Sequence, residues 1–155
     1  MRKKIVITGG IGYIGTELCK IYSGISWNNE ILVIDNRFVS ERVNQLRNWG
    51  IKFIQGDILD KELIKSHLSN ADVVHHLAGI TQVSRTASET NVQMDEKINH
   101  VAIEGTQNII SSIPDSCKII FPSTHVVFEG VQETKKEIIE EEITSPILSY
   151  AQGKV

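Results

Sequence analysis

The chain has 155 residues, 41% hydrophobic and 23% charged, with 16 Lys and Arg against 19 Asp and Glu for a formal charge of -3. That length and composition exclude disorder and fit one soluble domain that buries roughly two-thirds of its unfolded surface. The slight acidic excess gives no electrostatic reason to expect nucleic acid, which requires clustered cations, and no apolar stretch reaches the ~18 residues that span a bilayer, so neither nucleic acid nor a membrane is an expected partner.

In chain order, Lys4 to Thr8 reads as a strand, since the apolar run Ile5-Val6-Ile7 breaks at Gly9-Gly10 and is too short for a signal sequence. Tyr13 to Tyr22 reads as a helix, Ile31 to Asp35 as a strand, Ser40 to Trp49 as a helix and Ile51 to Gln55 as a strand. A helix from Asp60 to Leu68, with Leu63, Ile64, His67 and Leu68 at helical spacing, precedes a strand from Val73 to Ala78. A long helix from about Met94 to Ile113 leads to a fifth strand, Lys118 to Pro122. Apolar strands alternating with crossover helices predict a doubly wound parallel α/β sheet with right-handed connections.

Beyond the fifth strand, Glu129 to Glu142 carries six glutamates and two lysines, which reads as a solvated loop or short surface helix, with a lid as the alternative. Cys19 on a helix and Cys117 opening a strand lack metal-ligand spacing and read as thiols of a reducing compartment, so a cytoplasmic location is expected.

The first strand runs into Thr8-Gly9-Gly10-Ile11-Gly12-Tyr13-Ile14-Gly15. Glycines 9, 12 and 15 let the chain turn sharply, let backbone approach a pyrophosphate and let the helix pack on the strand, while the helix N-terminus offers N–H donors and a positive dipole end. Asp35, twenty residues after Gly15, ends the second strand where a dinucleotide fold places an acid on the adenosine ribose. It would repel a 2′-phosphate, so NAD is favoured over NADP, although Arg37 and Arg42 are close enough in sequence to receive one. Asp57 follows the third strand, where its carboxylate would meet the adenine amino group, although by itself it reads as a turn residue.

Tyr150 and Lys154 are four residues apart and would share one helix face. A phenol loses its proton near pH ~10 in water, and a neighbouring ammonium favours the phenolate, which makes such a pair an acid/base couple. His75 and His76 are consecutive on a strand and face opposite ways, so they cannot chelate one metal together, and no metal is expected. His125 reads as a packing or solvent residue, with a proton shuttle as the alternative.

These motifs, with His76-Leu77-Ala78-Gly79, Gly105-Thr106-Gln107-Asn108 and Pro122-Ser123-Thr124, give a chain that resembles the extended short-chain dehydrogenase/reductases, specifically the NAD-dependent epimerase/dehydratase family acting mostly on nucleotide sugars. The resemblance implies a Rossmann-type domain. It implies NAD contacts from Gly9, Gly12, Tyr13, Ile14, Gly15, Asp35, Asn36, Asp57, Ile58, Leu77, Ala78, Gly79, Tyr150 and Lys154. Thr124 would be the hydroxyl on the reacting sugar oxygen, Tyr150 the acid/base and Lys154 the holder of the nicotinamide ribose; Thr124 is preferred to Ser123 for its distance to Val127-Phe128. The implied function is a nucleotide-sugar epimerase working through a keto intermediate, with a keto-sugar or alcohol dehydrogenase/reductase, or an inactive NAD-binding module, as alternatives.

Three positions depart from the family pattern. His125 and Val126 follow Thr124 where dehydratases carry Asp-Glu, which disfavours sugar dehydration. Ala102 replaces the asparagine of Asn-Val-x-Gly-Thr, and Phe128-Glu129 stands where Tyr-Gly is common. The resemblance further implies that residues 1–155 are the NAD-binding portion of a longer chain lacking its C-terminal substrate-binding part, inactive alone, and that the complete enzyme is a homodimer.

Overall fold

Near-continuous apolar segments form strands covered on both faces, and the two longest here lie side by side in the sheet. The computed structural model describes residues 2–81, 91–131, 137–139 and 141–155. Among these, strands β1 (Lys4–Thr8), β2 (Glu30–Asp35), β3 (Lys52–Gln55), β4 (Val73–His76) and β5 (Lys118–Ile120) alternate with helices α1 (Tyr13–Ser23), α2 (Ser40–Asn48), α3 (Lys61–Leu68) and α4 (Val92–Ser112). A 3-10 turn (His125–Phe128) and a one-turn helix α5 (Ser149–Gln152) follow. The sheet order is β3-β2-β1-β4-β5 and every neighbouring pair is parallel, the Rossmann-type arrangement that the alternation predicts.

The chain divides into two units. Met1–Gly79 with Glu104–Phe121 holds the whole sheet, and Ile80–Ile103 with Pro122–Val155 forms the second unit. In the first, alternation along each strand separates two faces. Ile5 and Ile7 of β1 and Ile31 and Val33 of β2 form a buried cluster with Cys19 of α1, Leu46 of α2 and Ile51. Val6, Thr8, Leu32, Ile34, Val74 and His76 belong to the opposite face and are also buried. Right-handed crossovers put α3 and α4 there, and His76 Nε2 lies 3.1 Å from Thr106 Oγ1 of α4.

From β1 the chain winds outward to β2 and β3, then returns across the sheet to β4. The strand order therefore reverses between β1 and β4, and the carboxyl ends of these two strands flank the crevice that such a reversal opens.

Element boundaries shift where pairing or capping decides them. Both β4 and β5 end two residues earlier than the sequence suggests, because β4 pairs with β1 only as far as Thr8 and His76, and with β5 only as far as His75 and Ile120. Helix α4 starts at Val92 and not near Met94, because Asn91 Oδ1 accepts hydrogen bonds from the N–H groups of Gln93 at 3.0 Å and Met94 at 3.4 Å, the work of an N-cap.

Candidate functional site

The glycine turn is built by backbone contacts that a side chain would obstruct. Gly9 has φ +70°, and a Cβ there would lie 2.7 Å from Ala78 N, so the loops after β1 and β4 touch. At Gly15 a Cβ would stand 2.5 Å from Gly9 O and 2.6 Å from Gly10 Cα, which is how closely α1 packs on the turn. The Gly9 N–H donates to Ile34 O of β2 at 2.8 Å, and Gly12 N–H returns to Gly9 O at 3.0 Å. Helix α1 has Gly12 as its cap, without a side-chain cap or an acidic residue in its first turn, and Tyr13 and Ile14 are exposed. Its first N–H donors thus suit an anion.

Asp35 is 5% exposed, and its carboxylate joins β2 to the glycine turn. Oδ2 accepts from Ile11 N–H at 3.3 Å, while Oδ1 accepts from Arg37 N–H at 3.1 Å and Arg37 Nε at 3.3 Å. Arg42 donates through Nη1 to the carbonyl of Ile11. On the β3 side, Asn36 Nδ2 donates to Asp57 Oδ2 at 3.2 Å, and Asp57 Oδ1 accepts from Leu59 N–H at 3.0 Å. Asn36 and Asp57, 21 residues apart, are thus brought into contact.

At the end of β4, Leu77 packs against the α1 side of the core, Ala78 sits against Gly9, and the space around Gly79 is open. Ile58 is a core residue: it is buried, and a Cβ on Gly105 of α4 would stand 2.3 Å from its Cδ1. Asn108 of α4 donates to the carbonyls of Ile58 at 3.0 Å and Leu59 at 3.3 Å, which fixes the loop bearing Asp57. Thr106 and Asn108 carry part of the motif resemblance, yet only these contacts show that they support the loops around the site. His75 and His76 do face opposite ways: His75 meets the Tyr22 hydroxyl at 2.7 Å, whereas His76 meets Thr8 and Thr106.

In the second unit, the Thr124 hydroxyl accepts from Val126 N–H at 3.4 Å and caps the 3-10 turn, a bond that leaves its own proton unspent. Ser123 is exposed and donates to Lys154 O at 3.0 Å. Lys154 Nζ lies 5.9 Å from the centroid of the Tyr150 ring, and burial pushes its ammonium below the ordinary lysine range. The pair does not share a helix as its spacing suggests, since α5 ends at Gln152. Gly153 caps it, and a Cβ there would be 2.6 Å from Ala102 Cβ of α4. Glycine is a weak helix former, and the approach of Ala102 leaves no room for a side chain at position 153.

Glu129 has a contact that its sequence position does not signal: Oε1 accepts from the N–H of Ile147 at 2.8 Å and from that of Leu148, holding the segment that enters α5. Ser145 N–H donates to Val127 O and Gly130 N–H to Ser145 O, both at 2.8 Å. Residues 132–136 and 140 of the glutamate-rich segment lie outside the described residues. His125 opens the 3-10 turn and is exposed.

The predicted nucleotide residues from Gly9 to Gly79 all lie in the first unit, whereas Thr124, Tyr150 and Lys154 lie in the second. The profile of the 3-beta hydroxysteroid dehydrogenase/isomerase family matches residues 6–152. CDP-paratose 2-epimerase of Salmonella typhi is 30% identical over 141 residues, 85% of this chain and 40% of that protein. UDP-glucose 4-epimerase of Mycoplasma genitalium is 29% identical over 147 residues, 92% of this chain and 41% of that protein. Among solved structures, the UDP-glucose 4-epimerase of Brucella ovis in complex with NAD superposes with TM-score 0.77 at 26% identity, covering 98% of this chain and 44% of that one. The UDP-Glc/GlcNAc 4-epimerase of Campylobacter jejuni gives TM-score 0.79 at 25% identity, with coverages of 98% and 46%. The chain spans about two-fifths of the length of these curated relatives.

Proposed function

The chain belongs to the 3-beta hydroxysteroid dehydrogenase/isomerase family, within the NAD-dependent epimerase/dehydratase group, and from that premise we propose that it is the NAD-binding part of an epimerase-like oxidoreductase acting on a nucleotide sugar through a keto intermediate. The observation that carries this reading is the Lys154 ammonium standing 5.9 Å from the Tyr150 ring centroid. The same chain has a glycine turn and a buried acid at the end of β2.

The residues present fit NAD. A Cβ at Gly12 would lie 3.1 Å from Gly9 O, crowding the cradle that a pyrophosphate needs, and the α1 N-terminus is uncapped by any described side chain. In this reading Gly9, Gly12, Tyr13, Ile14 and Gly15 hold the pyrophosphate, Asp35 and Asn36 the adenosine ribose, and Asp57 the adenine. Ala78 and Gly79 border the nicotinamide side. Bound NAD supplies reversible hydride acceptance. Tyr150 takes and returns the sugar hydroxyl proton, Lys154 stabilises the phenolate and holds the nicotinamide ribose, and Thr124 donates its hydroxyl proton to the sugar oxygen.

A homodimer belongs to the same reading, supported by exposed Ile103 and Ile110, which recur seven residues apart along α4. The rival, an NAD-binding module without turnover, is favoured by Ala102, whose methyl packs against Gly153 where the family pattern has an asparagine. The deciding experiment is turnover of nucleotide sugars by the protein isolated from its source, wild type against Tyr150→Phe. The proposed chemistry requires a loss of about 100-fold to 10,000-fold with NAD retained. Full activity in the variant would remove Tyr150 from the mechanism, and NAD binding without turnover in the wild type would establish the rival.

A further inference from the structure

We propose that Glu129 is a positioning residue, whose carboxylate braces the turn that carries Thr124 to the segment that carries Tyr150. The inference rests on the acid/base reading of Tyr150 given above and deepens it at a position where the family pattern has glycine.

Helix α5 is a single turn, Ser149–Gln152. So short a helix has little stability of its own, because nucleation is costly, and its place is set by what grips its two ends. At the far end, Gly153 abuts Ala102, and Ser123 Oγ donates to Lys154 O at 3.0 Å. At the near end, Leu148 offers no side-chain cap. Ser145 is anchored by backbone bonds to Val127 and Gly130, and Pro146 has no N–H to give. The donors left before α5 are the N–H groups of Ile147 and Leu148, and both go to Oε1 of Glu129.

The other end of the brace is held as closely. Glu129 closes the 3-10 turn that Thr124 opens: its N–H donates to Val126 O at 3.1 Å, and Val127 N–H donates to Thr124 O at 3.4 Å. Thr124 and Glu129 are thus the two ends of one hydrogen-bonded turn. A bond to an ionised acceptor is roughly twice as strong as one between neutral groups, so a carboxylate suits the holding of two donors against water. All of these groups belong to the second unit, and within it the brace sets Tyr150 relative to Thr124.

Glu129 is exposed, so removing its side chain opens no cavity, and its backbone, with φ -62° and ψ -25°, suits alanine. A residue that merely supported the fold would lower stability and binding together when removed. One that orients the reacting hydroxyls lowers kcat and leaves KM and NAD affinity in place.

The test compares wild type, Glu129→Ala and Glu129→Gln in the protein as its source produces it, by amide hydrogen exchange and by turnover of a panel of UDP-, CDP- and dTDP-sugars with NAD. Glu129→Ala should speed exchange of the Ile147 and Leu148 amides by about tenfold and lower kcat by about tenfold, with KM, NAD Kd and thermal midpoint close to wild type. Glu129→Gln keeps an amide oxygen as acceptor and should recover most of both. Unchanged exchange in Glu129→Ala overturns the brace. Faster exchange with wild-type kcat, or a loss of kcat matched by a loss of NAD affinity, overturns the positioning role while the acid/base reading stands. A wild type that turns over none of the sugars overturns both.

Discussion

The hydroxyl of Thr8, the last residue of β1, lies 2.8 Å from Nδ1 of His76, the last residue of β4, although 68 residues separate them. Thr8 Oγ1 also accepts from Ala78 N–H at 3.3 Å. With Nδ1 of His76 facing the Thr8 hydroxyl, the other ring nitrogen, Nε2, faces that of Thr106 at 3.1 Å. This chain of bonds ties the two strands whose ends flank the crevice and fixes the loop that touches Gly9.

Thr8→Val keeps the shape of the side chain and deletes that hydroxyl, leaving Ala78 N–H and His76 Nδ1 without it. Loss of a buried partner costs about 1–3 kcal/mol. Urea unfolding should show a lower midpoint with an unchanged slope. A wild-type midpoint would mean that the clamp contributes nothing.

Gly15→Ala forces a methyl against Gly9 O and Gly10 Cα at 2.5 and 2.6 Å, both backbone atoms that cannot swing aside. The expected cost is about 1–3 kcal/mol, with weakened NAD binding because α1 is pushed off the turn. Gly24→Ala is the control. Its Cβ would meet only Ile21 O, at 3.6 Å, and φ is -65°, so stability should hold or rise by about 0.4–1 kcal/mol. Equal behaviour of the two variants in thermal unfolding would contradict the packing argument.

On the role proposed for Asp35, at the adenosine ribose where it would repel a 2′-phosphate, wild type should prefer NAD over NADP by about tenfold, which is about 1.4 kcal/mol. Asp35→Ala should narrow that gap in competitive calorimetry, by weakening NAD and removing the repulsion. It also frees Ile11 N–H and the Arg37 guanidinium. A gap as wide as in wild type would show that Asp35 does not discriminate.

His75 is buried against Tyr22, with ring centroids 5.5 Å apart, and burial lowers its affinity for a proton. Burial also raises Tyr22, so at neutral pH its hydroxyl keeps its proton, 2.7 Å from His75 Nε2. An unfolded histidine titrates near ~6.5, and the native state binds fewer protons below that value. Stability is therefore fully present above pH ~6.5 and is lost as pH falls through the depressed native value. The urea midpoint should drop on acidification, and His75→Gln should flatten the drop. An unaltered pH profile in that variant would clear His75 of responsibility.

Much of this protein is written locally. Strand runs such as Ile31 to Ile34, helical spacing such as Leu63, Ile64, His67 and Leu68, and glycines 9, 12 and 15 are patterns among near neighbours. Backbone stereochemistry and burial turn these patterns into the same elements wherever the rest of the chain lies. That is why the parallel sheet and the glycine turn are legible in the sequence. Tertiary structure decided which polar group answers which. Asn36 meets Asp57, Asn108 holds the carbonyls of Ile58 and Leu59, and Glu129 takes the N–H of Ile147. Arg37 turns back onto Asp35 where solvent was equally open to it, and Lys154 leaves the helix at the point where Gly153 meets Ala102. A side-chain hydrogen bond carries no periodicity, and its partner is chosen only when the fold brings distant residues within about 3 Å.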